Sequence, residues 1–288
     1  MIDLPKSLRT LSFTLIALAA LAASIGLFYD DGGSSYTAVN HLGEEIEMFG
    51  KGLYANDSLM FGAANQGMDA VTLLIGIPLL VYGIRLFQKD ECKGALLLLG
   101  VFSYFLYLYA AFALSIAYNR IFLIYIIILA VSLWGLLTSV LILTGQGRIQ
   151  SLFASFERRW IGWFMVVLGA ITLLIWGMEP LNTLITGHMP VLQGYPTLFT
   201  HALDMAVLAP LSIIAGYLIL KGEKAGYPMA VPPLFVIVML VPGIAAMTVN
   251  QVILGMDFSI GELIAFAASF MVMGFIGLVA LISIFRSE

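Results

Sequence analysis

Residues 121–144 read IFLIYIIILAVSLWGLLTSVLILT, without one Asp, Glu, Lys, Arg or His. An α-helix crosses the roughly 30 Å hydrocarbon core of a bilayer with about 20 mostly apolar residues, and this stretch is long enough. It is apolar on every face, whereas a strand of a transmembrane barrel would alternate apolar with polar side chains. Seven further stretches qualify in the same way: roughly 10–28, 69–87, 95–117, 159–177, 204–220, 228–253 and 261–285. The fold class that follows is all-α, a polytopic bundle of eight transmembrane helices.

Composition agrees. Hydrophobic residues make up 61% of the chain and charged residues 10%, against about 25% charged in a soluble domain. Mean hydropathy is +1.02. The net charge of −4 and the lack of a basic stripe exclude nucleic acid as a partner. The single cysteine, Cys92, can form neither an internal disulfide nor the thiolate cluster of a structural zinc site. Lys6 and Arg9 precede the first apolar run and Ala22 and Ala23 sit within it, as in a signal peptide. The run is longer than the roughly 7–15 residues of a signal core, so it reads as an uncleaved anchor.

Orientation follows from the basic residues, which cytoplasmic loops retain. With eight spans and a cytoplasmic N-terminus, the inner segments hold Lys6, Arg9, Arg85, Lys89, Lys93, Arg148, Arg158, Arg159, Lys221, Lys224 and Arg286. Only Lys51 and Arg120 fall outside, and the two sets account for all 13. Adding or removing one span would scramble this division. The expected address is the plasma membrane, with both termini cytoplasmic and the bilayer as the first partner.

Between spans 4 and 5, Ile149, Leu152, Phe153 and Phe156 fall on one face of a helix. Arg148, Glu157, Arg158 and Arg159 flank them, and Trp160 and Trp163 follow. This predicts a short amphipathic helix lying on the inner membrane surface. The expected organisation is a first unit over 1–145 with an outer segment at 29–68, a linker helix at 146–158, and a second unit over 159–288.

The two units carry similar landmarks. Gln66-Gly67-Met68-Asp69 opens a span containing Pro78, a basic turn runs from Lys89 to Gly94, and the next span ends at Asn119-Arg120. His201-Ala202-Leu203-Asp204 opens a span containing Pro210, a basic turn runs from Lys221 to Gly226, and the next span ends near Asn250-Gln251. Four spans per unit is an even number, so the units share orientation. The expectation is a parallel 4+4 internal repeat about an axis along the membrane normal. The stretches from Asp69 to Pro78 and from Ala202 to Pro210 resemble a group of uncharacterised prokaryotic multi-pass membrane proteins. The resemblance implies eight spans and a plasma-membrane address and brings no activity. His201 departs from it, since a less ionisable residue is expected there.

Asp69 and Asp204 are the leading candidates for a polar site, together with Gln66 and His201, each three residues earlier. Ionisable residues in spans are costly and often functional. The competing reading makes each aspartate an N-cap at the outer end of its helix. In the site reading the two pairs face one another across an outer vestibule. His201 and Asp204 have the spacing of two metal ligands, but a site needs more, and His188 or His41 would have to complete it. Haem requires axial ligands within the spans, and all three histidines lie outside the predicted span interiors. No motif calls for a cofactor, and no catalytic residue is nominated.

Three other features carry expectations. The segment 29–68 holds Asp30, Asp31, Glu44, Glu45, Glu47 and Asp57 against Lys51, a solvated acidic face or an attractor of cations; Asn56-Asp57-Ser58 also fits a glycosylation triplet. Span 3 is dense in aromatics, from Phe102 and Tyr104 to Tyr109 and Phe112, which either line a cavity for an apolar ligand or pack between helices. Pro242-Gly243 in span 7 is a candidate hinge. No Asp, Glu, Lys, Arg or His falls at the middle of a predicted span, which argues against ion-coupled transport. The leading functional reading is a membrane protein that binds or passes a small uncharged or apolar molecule through the cleft between the units. The alternative is a non-catalytic scaffold or assembly partner for another membrane protein, with a lipid-modifying enzyme third.

The orientation is testable by thiol labelling of intact cells. Cys92 is expected to react only after the membrane is permeabilised, and a cysteine introduced by Ser34→Cys only from outside. The opposite pattern at either position overturns the orientation.

Overall fold

A computed structural model describes residues 5–40, 43–145, 148–256 and 260–286, with only the helical backbone described over 260–267. Eight helices among the described residues are long and apolar enough to cross a membrane. The first is α1 (Lys6–Phe28). The second is a compound span, α2 (Leu59–Val71) running through a π-turn at Thr72–Gly76 into α3 (Ile77–Lys89). Then come α4 (Glu91–Leu114) and α5 (Phe122–Thr144), the short α6 (Arg148–Leu152), and α7 (Arg159–Thr186). The sixth span is again compound: α8 (Phe199–Leu203), a π-turn at Asp204–Leu208, and α9 (Ala209–Leu220). α10 (Gly226–Ile253) and α11 (Ile260–Phe285) complete the bundle.

Both π-turns have the same local cause. Pro78 and Pro210 are each the second residue of the helix that follows. Proline has no N–H and its ring crowds the preceding turn. A wider turn upstream gives the ring room, and such π-bulges recur at functional positions in helices.

The acidic segment between α1 and α2 is folded. Its β1 (Tyr36–Val39) and β2 (Glu45–Met48) form an antiparallel hairpin pairing Tyr36 with Met48 and Val39 with Glu45. A 3-10 turn at Gly52–Tyr54 then leads to Ser58, whose hydroxyl caps α2 by accepting from the Phe61 N–H. This hairpin marks one side of the bundle. Because the span number is even, both chain ends lie on the other side.

α4 is the central helix. It packs against α3, α5 and α10, while α1 packs on α2, α3 and α5. Phe102, Tyr104, Phe105, Tyr109 and Phe112 are all buried, with edge or stacked contacts running from Tyr104 through Phe105 and Tyr109 to Phe112 and Tyr125. The span 3 aromatics are packing.

Two expectations need correction. Spans 2, 5 and 6 extend further on the hairpin side than their apolar runs, beginning at Leu59, ending at Thr186 and beginning at Phe199. A polar residue does not stop a helix; Ser58 and the left-handed Gly187 do that for α2 and α7. The extensions bring Asp69, Glu179 and His201 inside helices, where they were expected at a helix start or in a loop. The linker 146–158 is not an amphipathic helix on the membrane surface. Among its described residues only Arg148–Leu152 is helical, and Ile149, Phe153 and Phe156 are buried in the protein. Phe153 and Phe156 pack on Tyr227, and Arg148 pairs with Glu91 at 2.7 Å.

α2 and α10 approach most closely at Gly67, where a Cβ would lie 2.5 Å from the Met247 nitrogen and 2.7 Å from the Ala246 carbonyl carbon. Gly67→Ala forces two backbones apart. The expected cost is about 1–3 kcal/mol, the usual range for overpacking, read as a lower melting temperature. Gly145→Ala, where a Cβ meets nothing within 4 Å, is the matched control and should leave the melt unchanged.

Candidate functional site

Asp69 is not a cap. It lies well inside α2 and is 1% exposed. The 3-10 turn lowers Tyr54 onto it, and the Tyr54 hydroxyl donates to Asp69 Oδ2 at 2.6 Å. Gly26 of α1 is required here, because a Cβ at that position would coincide with the carboxylate. Tyr104 stands 3.5 Å from the Thr72 hydroxyl. Asp69 is therefore closed in by α1, the hairpin segment and α4.

Asp204 is not a cap either, since the helix begins at Phe199 after Leu198. It is the first residue of the second π-turn and is 7% exposed. Tyr107 of α4 and Trp176 of α7 present donors to its carboxylate, yet Oδ1 has no hydrogen-bond partner. Asp204 borders a partly open cavity of about 550 Å³ lined by α7, the sixth span, α10 and α11. The remaining wall is mostly aliphatic, with Thr172, Ser212 and Ser269 as its other polar residues. At 1.5 Å per residue, Asp204 lies about 24 Å from the Leu220 end of its span, inside a 30 Å hydrocarbon core. Asp69 lies about 30 Å from Lys89, at its edge.

The nominated residues thus separate into different places. Gln66 ties helices together, donating to the Gly26 carbonyl at 3.2 Å and accepting from Asn250 at 3.2 Å. His201 does not pair with Asp204. Its Nε2 is 3.1 Å from Glu179 Oε2, and its ring packs against Trp176 at 4.2 Å between centroids. Counted from the two prolines, Asp204 stands where Thr72 does, and His201 where Asp69 does. The two aspartates are one helical turn out of register with each other. Pro242 and Gly243 lie within an unbroken α10, and a Cβ at Gly243 would be 2.8 Å from Met68 Sδ.

No group of three His, Cys, Asp or Glu is placed to hold a metal among the described residues. His188 is exposed in the loop after α7, and His41 lies outside the described residues.

The chain matches no known family model, curated protein or solved structure.

The cavity, Glu179 and Trp176 were not singled out from the sequence; Glu179-Pro180 read as the start of a loop. Asp57 was taken as one of several solvated acids. It is 1% exposed, accepting from the Tyr195 hydroxyl at 2.5 Å and the Ala117 N–H at 2.8 Å. It fastens the loop after α7 and the residues after α4 to the base of the hairpin.

Burial pushes the Asp57 carboxyl up from 3.8 to about 6, against the lowering effect of its two donors. Burial, and next the Asp57 charge, raises the Tyr195 hydroxyl. A raised folded pKa means that the folded protein binds this proton more tightly than the unfolded chain. The stability is fully present below about pH 4 and is lost as pH rises through about 6. The loss is on the order of 2–3 kcal/mol. The melting temperature should therefore fall between about pH 4 and pH 7 more steeply in the wild type than in Asp57→Asn. Parallel slopes for the two proteins would show that Asp57 does not titrate this way.

Proposed function

We propose that this multi-pass membrane protein binds a small, largely apolar molecule in the cavity enclosed by spans 5 to 8. The observation that carries the reading is a cavity within the 300–1,000 Å³ range of small-molecule sites, aliphatic along its length and with Asp204 at its border. The cleft between the two units is not where this space lies; it belongs to the second unit. Pro233, Val236, Ile237 and Leu240 of α10 line it, so the stretch between Pro233 and Pro242 forms one wall. Movement of that wall about Pro242-Gly243 would change the cavity's shape, which gives the hinge a role.

A parallel repeat, the plasma-membrane address and the cytoplasmic termini belong to the same proposal. The repeat is supported by the common order of π-turn, proline, lysine and glycine at Thr72, Pro78, Lys89 and Gly94 and at Asp204, Pro210, Lys221 and Gly226. The address and orientation rest on the division of basic residues.

An uncharged alkyl diazirine, activated by light in bilayer discs, tests the site. In the wild type it should label peptides of α7 and α9 that face the cavity. Leu208→Trp, which fills the space, should reduce that labelling at least fivefold and leave labelling of lipid-facing α5 intact. Cavity labelling that is absent, or indifferent to Leu208→Trp, would remove the reading.

A further inference from the structure

Resting on that binding site, we infer that its ligand is an amphiphile with a primary ammonium head, held by Asp204, and a single apolar chain lying along the cavity. Asp204 is more than nine-tenths buried and borders the cavity, and its Oδ1 has no hydrogen-bond partner. A buried acceptor left unpaired carries an uncompensated desolvation cost. Tyr107 and Trp176 approach the carboxylate as donors. No lysine or arginine is paired with Asp204 among the described residues, so a cationic ligand would meet no competing charge there.

The surroundings narrow the class. The Trp176 indole forms part of the wall beside the carboxylate, and an aromatic face attracts a cation. An N⁺–H···O⁻ bond is roughly twice as strong as a neutral one, so an ammonium gains more here than a hydroxyl. A fatty acid would bring a second negative charge to Asp204. Beyond the head, Leu168, Ile171, Ile175, Leu240 and Met273 leave room for a chain and offer it no polar partner.

The route of entry fits a molecule dissolved in the membrane. α7 packs on α9, and α11 on α10, but among the described residues α7 and α11 do not pack on one another. Both line the cavity. The cavity is partly open, and an amphiphile concentrated in the bilayer would enter between those two helices. A free alkylamine and the amino headgroup of a single-chain lysolipid offer the same ammonium, and the test separates them.

Dodecylamine, 1-dodecanol and dodecanoate are set to compete with the uncharged diazirine for cavity labelling in phosphatidylcholine discs, each at matched membrane mole fraction. On the wild type, dodecylamine should compete at least tenfold more strongly than dodecanol, and dodecanoate least. In Asp204→Asn, checked by a native-like melt, the amine's advantage over the alcohol should disappear. Adding lysophosphatidylethanolamine, which has one chain, to the discs should weaken dodecylamine competition if a lipid headgroup is the natural source; no effect points to a free amine. Equal potency of amine and alcohol on the wild type would overturn the ammonium head and leave the cavity standing. A tenfold advantage surviving in Asp204→Asn would remove the carboxylate as its partner. Loss of cavity labelling altogether would bring down the site and this inference together.

Discussion

A helix enclosed by other helices within a membrane has to find partners for its polar atoms inside the protein, because neither water nor headgroups reach it. α4 is that helix, and its tyrosines organise the bundle. Tyr104 reaches Thr72 at the first π-turn, and Tyr107 reaches Asp204 at the second. The two π-turns thus meet α4 about one helical turn apart. Each opens a compound span that a proline would otherwise only kink. The packing of α4 against α3, α5 and α10 therefore fixes where both buried carboxylates sit.

Those carboxylates have different surroundings. Asp69 is closed over by Tyr54, with Gly26 leaving the necessary room. Interhelical bonds from Gln66, Asn250 and Gln251 lock the same end of the bundle, tying α2 to α1 and α10. Asp204 has Tyr107 and Trp176 beside it, borders a cavity, and leaves Oδ1 without a partner. Its neighbours His201 and Glu179 satisfy each other instead. In a medium of low dielectric this difference matters, because a half-satisfied polar network is costly where a complete one is stable. The first half thus holds the more rigid of the two polar sites.

Much of the fold was legible because bilayer thickness is a strict ruler. Eight apolar runs became eight spans, and most boundaries moved by only a few residues. The errors have a common origin. Apolarity marks the hydrocarbon, whereas capping and turn chemistry mark the helix, and the two ends do not coincide at Asp69, Glu179 or Phe199. Ile149, Phe153 and Phe156 show a related limit. An apolar helical face predicts burial without saying what buries it, and here Tyr227 does so rather than lipid. Pairing Asp69 with Asp204 matched residue types instead of the prolines, and missed the register by three. The cavity could not be read at all, since empty space depends on how four spans diverge and leaves no mark in any one of them.

The contrast between the halves suggests how such a space arises. In the first half the hairpin segment returns to the bundle and inserts Tyr54, whose ring packs against Phe112 and whose hydroxyl donates to the carboxylate. A phenol is itself an amphiphile: an apolar body with a donor at its tip. In the second half the loop between α7 and α8, on the hairpin side, takes a different course. Its Tyr195 donates to Asp57 at the base of the hairpin and packs on Phe61. The second half therefore spends its loop tyrosine on joining the halves, and Asp204 is left without an equivalent of Tyr54. Where the first unit closes its buried carboxylate with a side chain from its own sequence, the second has a cavity beside the same chemical group.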